Sequence, residues 1–270
     1  MGIECSPKVY LNLIDVIASA QRTVLYPITP LYDSIEKKLK PDYVKALLRI
    51  FRICDKNGDG IMDDQDLIDL QKEVYDQDLS KTHITAIKQT IVSDEWDESQ
   101  IMKGINFDAF QSLWKKFIQK MKGQTTWKLL KHFGYDSKLQ LKRQIWDDGS
   151  VSEEILRSAR SFELREIAIQ YLKKLFYMNS SNSDKLDQNG IEKAFATCVD
   201  SDGVLFDAKL ETQFDNGLSL ELWIGLWQKA FCEKPKIAFK FLVYTGFIGG
   251  QLNDVIQPIK IKIKDILGQG

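Results

Sequence analysis

A mostly α fold of two tandem modules is predicted by two observations. The first is a twelve-residue stretch rich in side-chain oxygens, Asp55-Lys-Asn-Gly-Asp-Gly-Ile-Met-Asp-Asp-Gln-Asp66, set between two amphipathic helical patterns. The second is an internal duplication. Gly104-Ile-Asn-Phe-Asp-Ala-Phe-Gln-Ser-Leu-Trp114 aligns without gaps with Gly217-Leu-Ser-Leu-Glu-Leu-Trp-Ile-Gly-Leu-Trp227. Further along from each, Trp127-Lys-Leu-Leu-Lys-His-Phe-Gly-Tyr135 matches Phe239-Lys-Phe-Leu-Val-Tyr-Thr-Gly-Phe247 in aromatic, Lys, Leu and Gly positions. Two matched segments in the same order argue for two copies of one module.

The oxygen-rich stretch has the spacing of an EF-hand calcium loop. A hard divalent cation takes about six or more oxygens, and Asp55, Asn57 and Asp59 supply three of them from one short turn. The Ile61 carbonyl adds the seventh-position ligand, Asp63 acts through water, and Gly60 takes the sharp bend at the sixth position. An acidic, glycine-containing surface turn is the plainer reading. It leaves the flanks unexplained, because Val44, Leu47, Leu48 and Phe51 lead in and Leu67 and Leu70 lead out with helical periodicity. Position twelve departs from the usual pattern. Asp66 is one methylene shorter than Glu and is expected to donate a single oxygen, which lowers the coordination number, weakens calcium and suits octahedral magnesium.

EF-hands work in pairs, since the residues at position eight of two loops form a short ladder and a lone hand leaves its apolar face uncovered. The Gly104 and Gly217 segments read as the second halves of such hands, with Gly at position seven and an apolar residue at eight, so Met62 is expected to face Ile105. Counted back, these partner loops begin at Glu98 and Glu211 and end at Ala109 and Leu222, which makes them structural hands without ions. The leading hand of the second module falls in Asn179 to Gly190, with Leu186 at position eight. There Asn179, Ser181 and Ser183 are neutral, Asp184 replaces the bend glycine, Gly190 lacks a carboxylate, and Asp187 alone keeps a charge in a ligand position. Neutral oxygens do not offset the dehydration of a divalent ion, so one ion site in four loops is expected.

Composition narrows the function. The chain has 270 residues and an ordinary apolar fraction of 44%, which places it with globular proteins of one large or two medium domains. Net charge is −1 and basic residues form no long run, so a nucleic-acid footprint is absent. Cys5, Cys54, Cys198 and Cys232 show neither metal-ligand spacing nor the density of a disulfide scaffold, which fits a reducing, cytosolic compartment. No apolar run reaches about 18 residues and no signal peptide is read, so any membrane attachment is expected outside this chain. An enzyme is the least favoured class. His83 and His132 are the only histidines and neither stands beside a nucleophile motif. The acidic cluster Asp94 to Glu98 reads as a solvated loop, and Trp146-Asp147 lacks the blade period of a propeller.

Three motifs in order carry a family resemblance: Val24-Leu-Tyr-Pro-Ile-Thr-Pro-Leu-Tyr-Asp33 followed by Leu39-Lys-Pro-Asp-Tyr-Val-Lys-Ala-Leu-Leu-Arg-Ile-Phe51, then the Asp55 loop, then Thr125-Thr-Trp-Lys-Leu-Leu-Lys-His-Phe-Gly-Tyr-Asp136. Together they resemble the Miro family of mitochondrial Rho GTPases. The resemblance implies two paired EF-hand modules, each with a hidden second hand and a docked ligand-mimic helix anchored by Trp127 and Phe239, flanked by GTPase domains. The division it implies is 1–30 as the C-terminal remnant of a Ras-like GTPase domain, 31–140 as the first module, and 141–154 as a linker. Residues 155–250 are then the second module and 251–270 a linker with a candidate first strand of another GTPase domain. Ile3-Glu-Cys-Ser-Pro-Lys8 with Leu11, Ile14, Ile17 and Val24 is similar to the last strand, guanine-contacting loop and final helix of a Ras-type GTPase, although Pro7 departs from the usual small residue. Ile259 to Lys264 alternates as a strand does, and Asp265 to Gly268 resembles the entrance to a phosphate loop, but no Gly-Lys-Ser/Thr follows.

What the resemblance implies for function is a calcium-binding regulatory region, with magnesium a second candidate ion. It also implies partnership with GTPase domains and cytoskeletal motor or adaptor proteins, at the cytosolic face of the mitochondrial outer membrane. A free-standing soluble EF-hand sensor or buffer and a metal-free EF-hand scaffold are the alternatives.

Overall fold

The computed structural model describes residues 12–92, 97–120, 122–147, 149, 161–180, 185–198 and 217–259. The fold is mostly helical, as the patterning predicts, and among the described residues the strands form short two-stranded ladders. Its described residues form two compact units, one made of those up to Asp55 with Ile61–Gln140 and the other of Lys56–Gly60 with those from Leu141 onward.

In the first unit, α1 (Leu13–Leu25) is followed by a small hairpin, β1 (Tyr32–Asp33) with β2 (Lys38–Leu39). Helix α2 (Pro41–Cys54) starts on a proline whose missing N–H costs nothing at a first turn, and it buries Tyr43, Leu47, Ile50 and Phe51. After the Asp55 loop come β3 (Ile61–Met62) and α3 (Asp64–Tyr75). The partner hand is α4 (Lys81–Ile91), α5 (Glu98–Lys103), β4 (Ile105–Asn106) and α6 (Phe107–Gln119). Strands β3 and β4 pair antiparallel, with Met62 opposite Ile105 as the loop frame requires, and both side chains are fully buried.

Helix α7 (Gly123–His132) closes this unit by packing on α6 and α3. Trp127 is its anchor: the ring is buried and its Nε1 donates to the Pro27 carbonyl at 2.8 Å. Arg49 of α2 donates to the Phe133 carbonyl at 3.1 Å and lies over the Tyr135 ring, while Tyr75 donates to the Thr125 carbonyl at 2.8 Å. Burial pushes the Tyr75 hydroxyl well above the usual tyrosine range, which keeps it a donor at any ordinary pH.

The second unit repeats the plan. Strand β5 (Phe162–Leu164) leads into α8 (Glu166–Asn179), then β6 (Lys185–Leu186) and α9 (Gln188–Phe195). Its partner hand contributes β7 (Leu218–Ser219) and α10 (Leu220–Glu233), and Leu186 faces Leu218 across the ladder. Helix α11 (Pro235–Thr245) packs on α10 as α7 does on α6. The duplicated positions are buried alike: Phe110 and Trp114 in one unit, Trp223 and Trp227 in the other, and Trp127 and Phe239 in the helices that follow.

Three segments at the expected boundaries carry structure of their own. Residues 252–258, expected in a linker, form α12 (Leu252–Val255) and β8 (Ile256–Pro258), and β8 pairs antiparallel with β5. The pairing gives the β5 backbone a partner on one side, while Gln228 of α10 covers the other by accepting from the Leu164 N–H and donating to the Phe162 carbonyl. The expected linker from Lys142 holds a 3₁₀ turn, Arg143–Ile145, and Asp147 pairs with Arg143 at 2.6 Å and with Lys236 of α11 at 3.6 Å. Pro27, expected on the GTPase side of the first boundary, receives the Trp127 bond. The strand and phosphate-loop expectations beyond Ile259, the segment from Ile3 to Leu11 and the acidic residues 94–96 lie outside the described residues.

Replacing Trp127 by Ala is expected to lower the unfolding free energy by about 3–5 kcal/mol, the range for emptying a large aromatic site. Urea denaturation followed by circular dichroism measures it.

Candidate metal centre

The Asp55 loop starts where α2 ends. Asp55 is the C-cap residue of α2, its N–H donates to the Phe51 carbonyl at 2.8 Å, and its side chain is completely buried. Gly60 sits at φ +82° with nothing within 4 Å of where a Cβ would stand, so backbone conformation alone requires glycine at the bend.

Four of the six residues singled out from the sequence form two hydrogen-bonded pairs. Asn57 and Asp59 lie together on the exposed side: the Asp59 N–H donates to Asn57 Oδ1 and Asn57 Nδ2 donates to Asp59 Oδ2, both at 3.0 Å. Asp63 and Asp66 form a second pair at the start of α3. Asp63 Oδ1 accepts from the Asp66 N–H at 2.9 Å, and Asp66 Oδ2 accepts from the Asp63 N–H at 3.3 Å, a reciprocal capping box. Ile61 lies in β3 between the two groups. Among the described residues no three His, Cys, Asp or Glu side chains already surround one point.

Burial separates the first and last positions from every other acid. Asp55 at 0% and Asp66 at 6% exposure are the buried carboxylates among the described residues. Desolvating a carboxylate costs several kcal/mol unless it is compensated, and for Asp66 the Asp63 N–H supplies part of that compensation. With Asn57, Asp59, Asp63 and the Ile61 carbonyl, the donors are all hard oxygens, which fits calcium or magnesium.

Position nine has a role that ligand spacing alone does not reveal. In all four hands it caps the exit helix: the side chains of Asp63, Asn106, Asp187 and Ser219 accept from the N–H of Asp66, Ala109, Gly190 and Leu222 at 2.9, 2.9, 2.7 and 3.3 Å. The charge kept at Asp187 is therefore tied to a helix end. The signal was present in the sequence, since Asp, Asn, Asp and Ser each stand just before an apolar helical run.

The other loops differ physically from the first. In the partner hand of the first unit, Glu98 to Lys103 is helix α5, so the stretch expected to be the first half of a loop is helical instead. In the leading hand of the second unit, Asn179 turns back to donate to the Leu175 carbonyl at 2.8 Å. A Cβ on Gly190 would stand 2.6 Å from the Asn179 carbonyl, so the twelfth position has closed directly onto the first. Residues 181–184 and 211 lie outside the described residues. Both histidines serve helices: His83 shares a capping box with Ser80, and His132 pairs with Glu73 at 2.9 Å. No described helix is long and apolar enough to cross a membrane.

Ladder-paired loops that lead into capped helices define the class as an EF-hand protein. Comparison with known sequences narrows it. A family model described as EF hand associated matches residues 77–148, the stretch from just before α4 through α7 to the 3₁₀ turn. The chain is 32% identical over 258 residues to Mitochondrial Rho GTPase 1 of Arabidopsis thaliana, covering 92% of this chain and 38% of that protein. It is 29% identical over 281 residues to Mitochondrial Rho GTPase 1 of Caenorhabditis elegans, covering 99% and 44%. Over nine-tenths or more of its own length the chain is thus similar to mitochondrial Rho GTPases of the Miro family, and it spans about two-fifths of the length of these curated relatives.

Asp187→Ala is expected to cost about 1 kcal/mol of stability through loss of the cap, and to leave the number of bound divalent ions unchanged. Denaturant unfolding and calorimetric titration with calcium measure the two effects separately.

Proposed function

We propose that this chain is the cation-responsive regulatory region of a Miro-like mitochondrial Rho GTPase, and that Asp55, Asn57, Asp59, Ile61, Asp63 and Asp66 hold one divalent ion. The observation that carries this reading is the burial of Asp55 and Asp66 at the two ends of a loop locked to its partner through Met62 and Ile105. Asn57 is bonded to Asp59 and Asp63 to Asp66, so on this reading ion binding exchanges those hydrogen bonds for coordination. Closing on the ion draws the start of α3 toward the end of α2. That motion is a means by which cation concentration reaches the rest of the first unit.

Calcium is the first candidate and magnesium the competitor, because Asp66 reaches less far than Glu. The second unit keeps the hand geometry without the chemistry, which supports a structural role there. Helix α1 leaves Ile14 and Val24 about four-fifths exposed, at 82% and 80%, and Ile17 half exposed, which fits packing of this helix on a GTPase domain. GTP hydrolysis, motor or adaptor partners and residence at the cytosolic face of the mitochondrial outer membrane belong in this reading to the longer protein.

Calorimetry on the chain is expected to show one calcium equivalent, lost in Asp55→Ala and tightened by about tenfold or more in Asp66→Glu, which restores the second carboxylate oxygen. Absence of heat with both calcium and magnesium would favour the metal-free scaffold.

A further inference from the structure

Lys88 is a charged side chain that the ion chemistry leaves unused. It lies on α4 of the partner hand and is 2% exposed, one of few buried charges among the described residues. Its ammonium stands 2.5 Å from Asp64 Oδ1 and donates to the Met102 carbonyl at 2.8 Å. Asp64 is the tenth residue of the ion loop and the first of α3, between Asp63 and Asp66. Met102 lies in the last turn of α5, just ahead of the Ile105 pairing. One ammonium therefore ties the start of the ion loop's exit helix to a helix of the neighbouring hand. A buried ammonium is tolerated only with its acceptors in place, so the tie resists being pulled apart.

Asp66 sits in the same turn of α3 as Asp64. The Asp66 carboxylate accepts from the Asp63 N–H in the capping box, so turning it onto an ion disturbs the first turn of α3, the turn that the Lys88–Asp64 pair holds. Resting on the divalent-cation reading above, we propose that Lys88 and Asp64 form a clamp that lowers calcium affinity and tilts the site toward magnesium. Calcium, with its larger oxygen shell, gains most from full approach of Asp66. Magnesium keeps several of its waters and needs that approach less.

The test is calorimetric titration of this chain, separately with calcium and magnesium, for the wild type, Lys88→Met, Asp64→Asn and the double variant. Each single variant is expected to bind calcium about three- to tenfold tighter, with the double variant no tighter than either, and magnesium affinity is expected to change by less than about twofold. Simple charge effects predict opposite signs, because removing a cation strengthens the site and removing an anion weakens it. Weaker calcium binding by Asp64→Asn therefore overturns the clamp, as does a shift of both ions alike. Asp64 is exposed, with 60% of its side chain accessible, so its variant carries the test even if Lys88→Met fails to fold. A second readout needs no ion: in chelator, amide exchange at residues 64–67 is expected to quicken in both variants. Wild type giving no heat with either ion overturns the cation reading and the clamp with it, whereas wild-type binding with unchanged variants overturns the clamp alone.

Discussion

The two-residue ladders between loops fix the rest of the structure. Once Met62 pairs with Ile105, and Leu186 with Leu218, the next residue of each loop is set at the start of a helix and its side chain falls on the free N–H groups of that helix. Apolar burial at position eight and polar capping at position nine are consecutive steps along one backbone. Neither requires an ion. This is why hands whose ligand chemistry is lost keep the ladder and the capped exit helix: each cap contributes on the order of 1 kcal/mol, and the paired position-eight side chains stay dry.

The helix that follows each pair solves a second problem. Two hands brought together by a ladder present an apolar surface, and α7 and α11 cover it within the same chain. In the first unit this cover is held by directional bonds as well as by area. Trp127 is fixed to Pro27, Arg49 to Phe133 and Tyr75 to Thr125, and each of these reaches a backbone carbonyl. A carbonyl acceptor is indifferent to the side chain carried by the residue that supplies it. The docking therefore depends on the placement of the donors Trp127, Arg49 and Tyr75 more than on the sequence they meet.

Much of this was legible in the sequence because spacing carries it. The loop frame predicted the Met62–Ile105 partnership from counting alone, and the duplication aligned Trp114 with Trp227, each of which is buried in its own unit. What escaped reading was set by tertiary partners or by competing local chemistry. Glu98 to Lys103 has helical propensity that wins once no ion draws it into a loop. Residues 256–258 look like a linker until β5 supplies a partner strand distant in sequence. Lys88 is an ordinary helix lysine by pattern, and only the fold shows that it is buried against Asp64 and Met102. Asp187 looked like a surviving ligand because Asp suits both a metal and a helix cap.

That double use of Asp bears most directly on Asp66. It is the last position of the ion loop and also the third residue of α3, where its carboxylate already accepts the Asp63 N–H in the capping box. To close on an ion the carboxylate must turn from that N–H or share its oxygens between the two. A Glu has an extra methylene with which to span cap and ion together, whereas Asp has less reach, so the trade between helix capping and coordination is sharper here. On the proposed cation reading, affinity in this loop would be the difference between an oxygen gained by the ion and a cap loosened on α3. The proposed Lys88–Asp64 clamp would act on the same turn and weigh on the same difference.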